Sequence, residues 1–322
     1  MTSAGEAVDV SIVIVNWNAL AYLRNCLRSI VDQTRACTYE IIVVDNDSSD
    51  GSQEMLRSEF PNVTALLNEQ NVGFAGGNNQ GMRIARGRYV LLLNPDTLVL
   101  DGAIDTCVAY ADVLRGDKVG VIGCQVWEDA ATIQKTCFLF PSPLNTLLNL
   151  LGLTRRFPRS RFLSRSEMGW WDRRDEREVE VVSGMFMLVR REALDEVGLM
   201  DERYFVYAEE ADWCYRFWRA GWKLLFTPRA RIMHLDGGAK STGLASAKMY
   251  VQLQKSILRF HRKNRGFVDW ALAQAIYAVL MPCRAATFGV LALTGRGERA
   301  HAKYLQTAAA TRYHLLRIEP QP

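Results

Sequence analysis

Apolar residues in the first hundred positions come in short runs separated by amphipathic stretches. Val10–Val15 is a continuous β-rich run, as in a strand buried on both faces. In Ala19–Gln33, the residues Leu20, Leu23, Leu27 and Ile30 fall on one stripe at helical spacing. Glu40–Asp45 reads as a second buried strand, and Ser48–Phe60, opening on capping residues, as a second helix. Val63–Leu67, Gly76–Ala85 and Arg88–Leu93 read as strand, helix and strand. Such alternation predicts an α/β fold, Rossmann-like, with a mostly parallel sheet flanked by helices. Ligands of such sheets bind at the carboxyl ends of the strands.

Those ends are polar. The first predicted strand runs into Asn16-Trp17-Asn18, the second into Asp45-Asn46-Asp47 and the fourth into Asn94-Pro95-Asp96. After another predicted strand, Gly120–Trp127, the regularity fails over residues 128–178, a length that points to a functional loop or lid, or to disorder. Val179–Arg190 resumes as strand, interrupted by Ser183-Gly184. Glu209–Ala220 is an amphipathic helix burying Trp213 and Phe217. Two short strands follow, Trp222–Phe226 and Arg231–Met233, the second running into His234. The remainder predicts a helical, basic and apolar appendage.

Composition narrows the picture. A 322-residue chain with 49% hydrophobic and 23% charged residues can bury a full core, and a net charge of +4 gives no reason to expect nucleic-acid binding. Basic residues are concentrated locally: Thr154–Arg165 holds five Arg and no acid, and Lys255–Arg265 is also basic without acids. Either is a solvated face or a contact with an anionic membrane or a phosphate-bearing substrate. Phe267–Gly295 is long and apolar but carries Asp269, Pro282 and Arg284, which predicts two shorter helices on a membrane surface, broken at Pro282, or ordinary packed helices. Seven Cys without a CxxC pair, and no secretory leader, are expected of a cytoplasmic protein.

A glycine fingerprint for a dinucleotide is missing after the first strand, where NWN stands, and Gly238-Ala239-Lys240-Ser241 has only the tail of a P-loop. The residues offer instead an Asn/Asp site. Asp45 can accept from a base imide, and Asn16 and Asn18 can bond ribose or base edges. A turn aspartate, a cap or a loop explains each residue separately; their occurrence together and in order favours a nucleotide.

SIVIVNWN, EIIVVDNDSSDGS, NVGFAGGNNQG, YVLLLNPDT, SGMFMLVRR and EEADWCYRFWRAGW together resemble the family 2 glycosyltransferases with a GT-A fold, and within them the bacterial rhamnosyltransferase group. The resemblance covers about residues 10–240. It implies a GT-A domain over 1–240, with a nucleotide-binding half near 10–127 and an acceptor-binding half near 128–240, and a separate helical region over 241–322. Asn71, Gly73, Asn79 and Asn94 join the donor site. Asp96, the acid left where the family carries Asp-x-Asp, and His234 are implied ligands of Mg²⁺ or Mn²⁺ on the diphosphate. Glu210 corresponds to the family's base in an inverting transfer, with Gly184 and Glu209 toward the acceptor. Asp212 has a structural alternative, an ion pair with Arg216 at i+4. The implied donor is dTDP-β-L-rhamnose, with UDP-hexoses next, and the implied acceptor a glycan, including one linked to polyprenyl diphosphate, met by a peripheral enzyme on the inner membrane face. A two-carboxylate glycoside hydrolase would leave the strand-end Asn/Asp set unexplained; an inactive sugar-nucleotide-binding protein would retain it.

Overall fold

The structure, a computed structural model, describes residues 7–235, 246–294 and 297–320. Asp236-Gly237-Gly238, the Lys240-Ser241 pair and the expected boundary at 240 lie outside the described residues.

The first hundred residues form β1 (Val10–Asn16), α1 (Leu20–Gln33), β2 (Tyr39–Asn46), α2 (Ser52–Glu59), β3 (Thr64–Asn68), α3 (Gly73–Ile84), β4 (Tyr89–Leu93) and β5 (Thr97–Leu100). Then come α4 (Ala103–Val113), β6 (Val119–Trp127), β7 (Cys137–Phe138), α5 (Pro143–Leu150), α6 (Leu153–Arg156), β8 (Arg177–Glu178), β9 (Val181–Val182), β10 (Phe186–Arg190), α7 (Arg191–Val197), α8 (Glu209–Arg219) and β11 (Lys223–His234). The C-terminal helices are α9 (Ala247–Phe260), a π-helical turn at His261–Arg265, α10 (Phe267–Leu293) and α11 (Gly297–Leu316).

The main sheet has the order β3-β2-β1-β4-β10-β6-β11-β5, with β8 against β11. β3, β2, β1 and β4 are mutually parallel, as are β6 and β11, while β10 runs antiparallel between β4 and β6. Chain order reverses between β1 and β4, the crevice where open α/β sheets bind ligands. Alternate β1 residues Val10, Ile12 and Ile14 pack on Leu23, Cys26, Leu27 and Ile30 of α1, so one face of the strand and the stripe of the helix share a core. On the other face α3 approaches closely through glycine: a Cβ at Gly77 would lie 2.9 Å from Val15, and one at Gly81 would collide with Val13.

Four expectations are revised. α2 begins at Ser52 rather than Ser48, because Ser48 and Asp50 bond the β1–α1 loop instead: Ser48 Oγ accepts from Asn18 N at 2.9 Å, and Asp50 Oδ2 from Leu20 N at 2.8 Å. The two short strands at 222–233 are one strand, β11, with its register interrupted between Thr227 and Arg231, beside Pro228. Residues 128–178 carry short elements rather than a structureless loop. Finally, Pro282 does not break α10; a proline removes one backbone donor, and the helix continues through it packed along α11.

Packing divides the chain into two compact units. One comprises 1–140, 171–205 and 209–235 and contains the sheet; the other comprises 141–170, 206–208 and 236–322. The second unit has its own core of Val251, Leu258, Ala273, Tyr277, Met281 and Ala310.

Candidate active site

At the carboxyl end of the parallel strands, β1 and β2 pair Asn16 with Asp45. Asn16 Nδ2 donates to Asp45 Oδ2 at 2.7 Å and to Ser48 Oγ at 3.2 Å. Asp45 Oδ1 accepts from Ser48 N at 2.9 Å and from Gln53 Nε2 at 3.0 Å. Asp45 is fully buried, so a direct bond from a base would require this arrangement to open. Asn18 sits in the left-handed region at φ 49°, and its Oδ1 accepts from Ser49 N at 2.8 Å. The pair therefore shapes the rim on which Trp17, 57% exposed, is displayed. Trp17, Ser48 and Gln53 join this region only in the fold; in sequence the signal for Trp17 is an aromatic between two strand-end asparagines.

The loop into α3 is fixed by Asn71, whose Oδ1 accepts from Gly73 N at 2.8 Å. Gly73 has φ 79°, and a Cβ there would run into the Phe205 carbonyl, which accepts from Phe74 N at 2.9 Å. Gly184 is close by: its Cβ would be 2.9 Å from the Phe74 ring. The start of α3 is thus packed against Phe205.

Asn79 is engaged within the protein itself. Its Nδ2 donates to Met200 O at 2.9 Å and Glu202 Oε1 at 2.8 Å, and its Oδ1 accepts from Met200 N at 3.0 Å. Both of its donor protons are used and the side chain is buried, so it clamps α3 to the 198–202 loop and has no donor left for a nucleotide.

Beyond β4, Asn94 N donates to Met185 O at 3.2 Å and its carbonyl accepts from Thr97 Oγ1 at 2.7 Å. This turn delivers Asp96 to the end of β11: Asp96 Oδ2 lies 3.1 Å from His234 Nε2, and His234 Nδ1 lies 3.0 Å from Gln134 Oε1. A Gln on one ring nitrogen orients the other, as outer-shell partners do for a ligating histidine. Gln134 went unnoticed in the sequence because nothing in its neighbourhood is patterned.

Glu209 and Glu210 open α8 directly after Tyr207 and Ala208, two consecutive non-glycine residues at φ 71° and 63°. Burial raises the pKa of both carboxyls, and Glu210 raises that of Glu209 further. Asp212, on the same turn, is fully buried and bonded: its Oδ2 lies 3.1 Å from Arg216 Nε, the i+4 pairing. Among the described residues, three buried carboxylate oxygens have no hydrogen-bond partner: Asp96 Oδ1, Glu209 Oε2 and Glu210 Oε2. Buried polar atoms in folded proteins are normally satisfied, so orphans call for an explanation.

Residues 11–198 match the Glycosyl transferase family 2 domain. The chain is a family 2 glycosyltransferase. It is 27% identical over 260 residues, covering 77% of this chain and 82% of the relative, to N-acetylglucosaminyl-diphospho-decaprenol L-rhamnosyltransferase of Mycobacterium tuberculosis. It is also 24% identical over 213 residues, 65% of this chain and 61% of the relative, to the low-salt glycan biosynthesis hexosyltransferase Agl10 of Haloferax volcanii. Among solved structures, the mannosyltransferase PcManGT from Pyrobaculum calidifontis, in complex with GDP-Man and Mn²⁺, superposes with a TM-score of 0.58 at 16% identity, covering 98% of this chain and 89% of that one. S. aureus TarS superposes at 0.52 and 13% identity, covering 95% of this chain and 49% of that one. The fold of the transferase is therefore GT-A, with the helical C-terminal region in addition.

Proposed function

We propose that this transferase moves L-rhamnose from dTDP-β-L-rhamnose, with inversion, to a glycan hydroxyl on a polyprenyl-diphosphate-linked acceptor. The observation that carries the choice of sugar and acceptor is the match, across most of both chains, to the decaprenol-linked L-rhamnosyltransferase. UDP-hexoses are the alternative donors.

The strand ends of β1 and β2, with Asn16, Asn18 and Asp45, together with Asn71, Gly73 and Asn94, form the donor side in this reading; residues 128–240, with Gly184 and Glu209, supply the acceptor side. Asp96 and His234 fit a divalent cation, Mg²⁺ or Mn²⁺: a carboxylate with one orphaned buried oxygen faces a ring nitrogen whose opposite nitrogen is held by Gln134. Bound there, the cation would supply positive charge against the departing diphosphate. Glu210 takes the proton from the acceptor hydroxyl as its oxygen bonds to C1 of the sugar. The bond from C1 to the phosphate oxygen breaks, and the nucleoside diphosphate leaves with that electron pair. A carboxyl whose pKa is raised by burial suits a base working near neutral pH. The enzyme works as a peripheral protein on the cytoplasmic membrane face, bound through its C-terminal unit; α10 is long and apolar enough to cross a bilayer, and only 11% of its most apolar window is buried.

A thermal-unfolding panel of nucleotide sugars tests the donor, because a bound ligand raises the melting temperature. Stabilisation by dTDP-rhamnose, with thymidine nucleotide released when acceptor is added, is the expected result. A shift with a UDP-hexose and none with dTDP-rhamnose overturns the donor assignment; donor binding with no release under any acceptor identifies an inactive binding protein.

A further inference from the structure

The two faces of α10 are unlike. Its exposed positions Val268, Leu272, Ala275, Val279, Cys283, Ala286, Val290 and Leu293 recur every three or four residues, so one stripe faces outward; it is apolar but for Thr287, whose hydroxyl donates to the Cys283 carbonyl of the same helix at 2.9 Å. A helix of a soluble protein presents polar residues on that side. The inward face begins as core, with Ala273, Tyr277 and Met281 buried, and continues one helical turn further to Arg284 and then Phe288.

Around Arg284 the second unit collects cations. Its guanidinium donates to the Leu150 carbonyl at the end of α5, and its Nε is buried without a partner. The Phe288 ring carries Arg284 at 5.5 Å and Lys303 of α11 at 5.2 Å. Burial lowers the pKa of Lys303, and the charges of Arg299 from the first turn of α11, Arg155 from α6 and Arg284 lower it further. Among the described residues none of Arg155, Arg284, Arg299 and Lys303 has an ion-pair partner. Four like charges from three helices oppose one another unless an anion joins them, and the opening turn of α11 adds N–H groups favourable to an anion. Exposed Leu151, Phe157 and Phe162 flank Arg155 along the chain, so apolar contact surface adjoins the cations here too.

We propose that Arg155, Arg284, Arg299 and Lys303 form a binding site for the phosphate of an anionic phospholipid headgroup, with the apolar stripe of α10 in the acyl region beside it. Charge and apolar surface together select this occupant, since a soluble phosphate has no use for the stripe. Alone, the helix is long enough to span, but its packing partner α11 carries Arg299, His301, Lys303 and Arg312, which belong at a headgroup boundary rather than in hydrocarbon. The proposal rests on the membrane reading given above and adds a defined lipid chemistry to it.

The test is flotation of the full chain with vesicles of neutral phosphatidylcholine and with vesicles containing phosphatidylglycerol, for the wild type and for the triple variant Arg155→Gln, Arg299→Gln, Lys303→Gln. Those three side chains hold nothing in the core of the unit, and circular dichroism checks that the fold is kept; Arg284→Gln is the second variant. Each cation near an anionic surface is worth roughly fivefold, so the triple variant should lose about 10²-fold in affinity for the anionic vesicles and little for neutral ones. Equal binding of the wild type to both vesicles, or an unchanged preference in the triple variant and in Arg284→Gln, overturns the phosphate site while leaving the membrane reading intact. No binding to either vesicle overturns the membrane reading, and the site with it. Inorganic phosphate or pyrophosphate that displaces the protein from anionic vesicles, at an ionic strength where chloride does not, shows a soluble-anion site and overturns the lipid assignment.

Discussion

Two polar regions of the α/β unit are built in opposite ways. At the ends of β1 and β2, Asn16, Asn18, Asp45, Ser48 and Gln53 bond one another, leaving only Asn16 Oδ1 as a buried atom without a partner. After β4 and at the start of α8, Asp96, Glu209 and Glu210 each keep a buried oxygen with nothing attached. A bonded network fixes a loop whether or not a ligand is present. An orphaned carboxylate oxygen costs stability, on the order of 1–3 kcal/mol or more for a charged group, and is explained when a cation or a transferable proton completes it. The first region therefore reads as a frame, and the second as the place where charge and protons are handled.

The strongest way to break this comparison is Glu210→Gln. It preserves size and removes basicity, so kcat should fall by about 10²–10⁴-fold while donor affinity barely changes, measured as turnover and donor thermal shift on the same protein. Near wild-type turnover would mean that the proton goes elsewhere. Next come Asp96→Ala and His234→Ala, each expected to raise the Mg²⁺ or Mn²⁺ concentration for half-maximal activity, with Gln134→Ala doing so by about 10–100-fold through the ring it orients. Full wild-type activity in excess chelator removes the metal role from both residues. The clamp on α3 should respond differently. Asn79→Ala strips three hydrogen bonds from a buried clamp, and denaturant unfolding should show a loss of about 1–3 kcal/mol with little change in turnover per folded molecule. A selective loss of donor binding instead would return Asn79 to the nucleotide site.

Much of this was legible in the chain, for physical reasons that also mark where legibility stops. Periodicity gave β1, α1, β2 and β4 because each buries a complete face, and those patterns are local. Glu210, Asp96 and His234, singled out by the resemblance, stand at element ends in the fold, a placement that local pattern also foretells. The clamp at Asn79 is not visible locally, since its partners Met200 and Glu202 are more than a hundred residues away, and an asparagine that holds a loop looks in sequence like one that binds a ligand. Gln134 escaped for the same reason. β5 and α4 were missed although Asp101 and Gly102, both at positive φ, punctuate them. The continuity of α10 through Pro282 was set by packing along α11, which no local propensity reports.

The smallest expected effect separates the two acids of α8. Burial raises both carboxyls, and the charge of Glu210 is a further cause for Glu209, so the pair holds protons above the ordinary carboxylate range. The sign for stability follows. A folded-state pKa above the unfolded value gives a contribution that is complete below the unfolded value and is lost as pH rises through the folded one, so this pair favours the fold at acid pH and withdraws that support towards neutrality. For activity the sign is reversed, because Glu210 must be ionised to act: the acid limb of kcat/KM should lie above the range of an exposed glutamate. Glu209→Gln keeps a hydrogen-bonding group of the same size and removes one titrating neighbour. The charge of Glu210 raises Glu209 and not the reverse, so Glu209 is still protonated as Glu210 ionises; the acid limb and the plateau rate should both stay nearly unchanged, while the pH dependence of stability loses the share of Glu209. Pairing the pH profile of this variant with its unfolding curve at acid and neutral pH distinguishes a neighbour of the base from the base itself. If the plateau collapses in Glu209→Gln and survives in Glu210→Gln, the two assignments are exchanged. If the limb instead moves to lower pH, Glu209 is charged while Glu210 titrates, and the order of the two ionisations is the reverse.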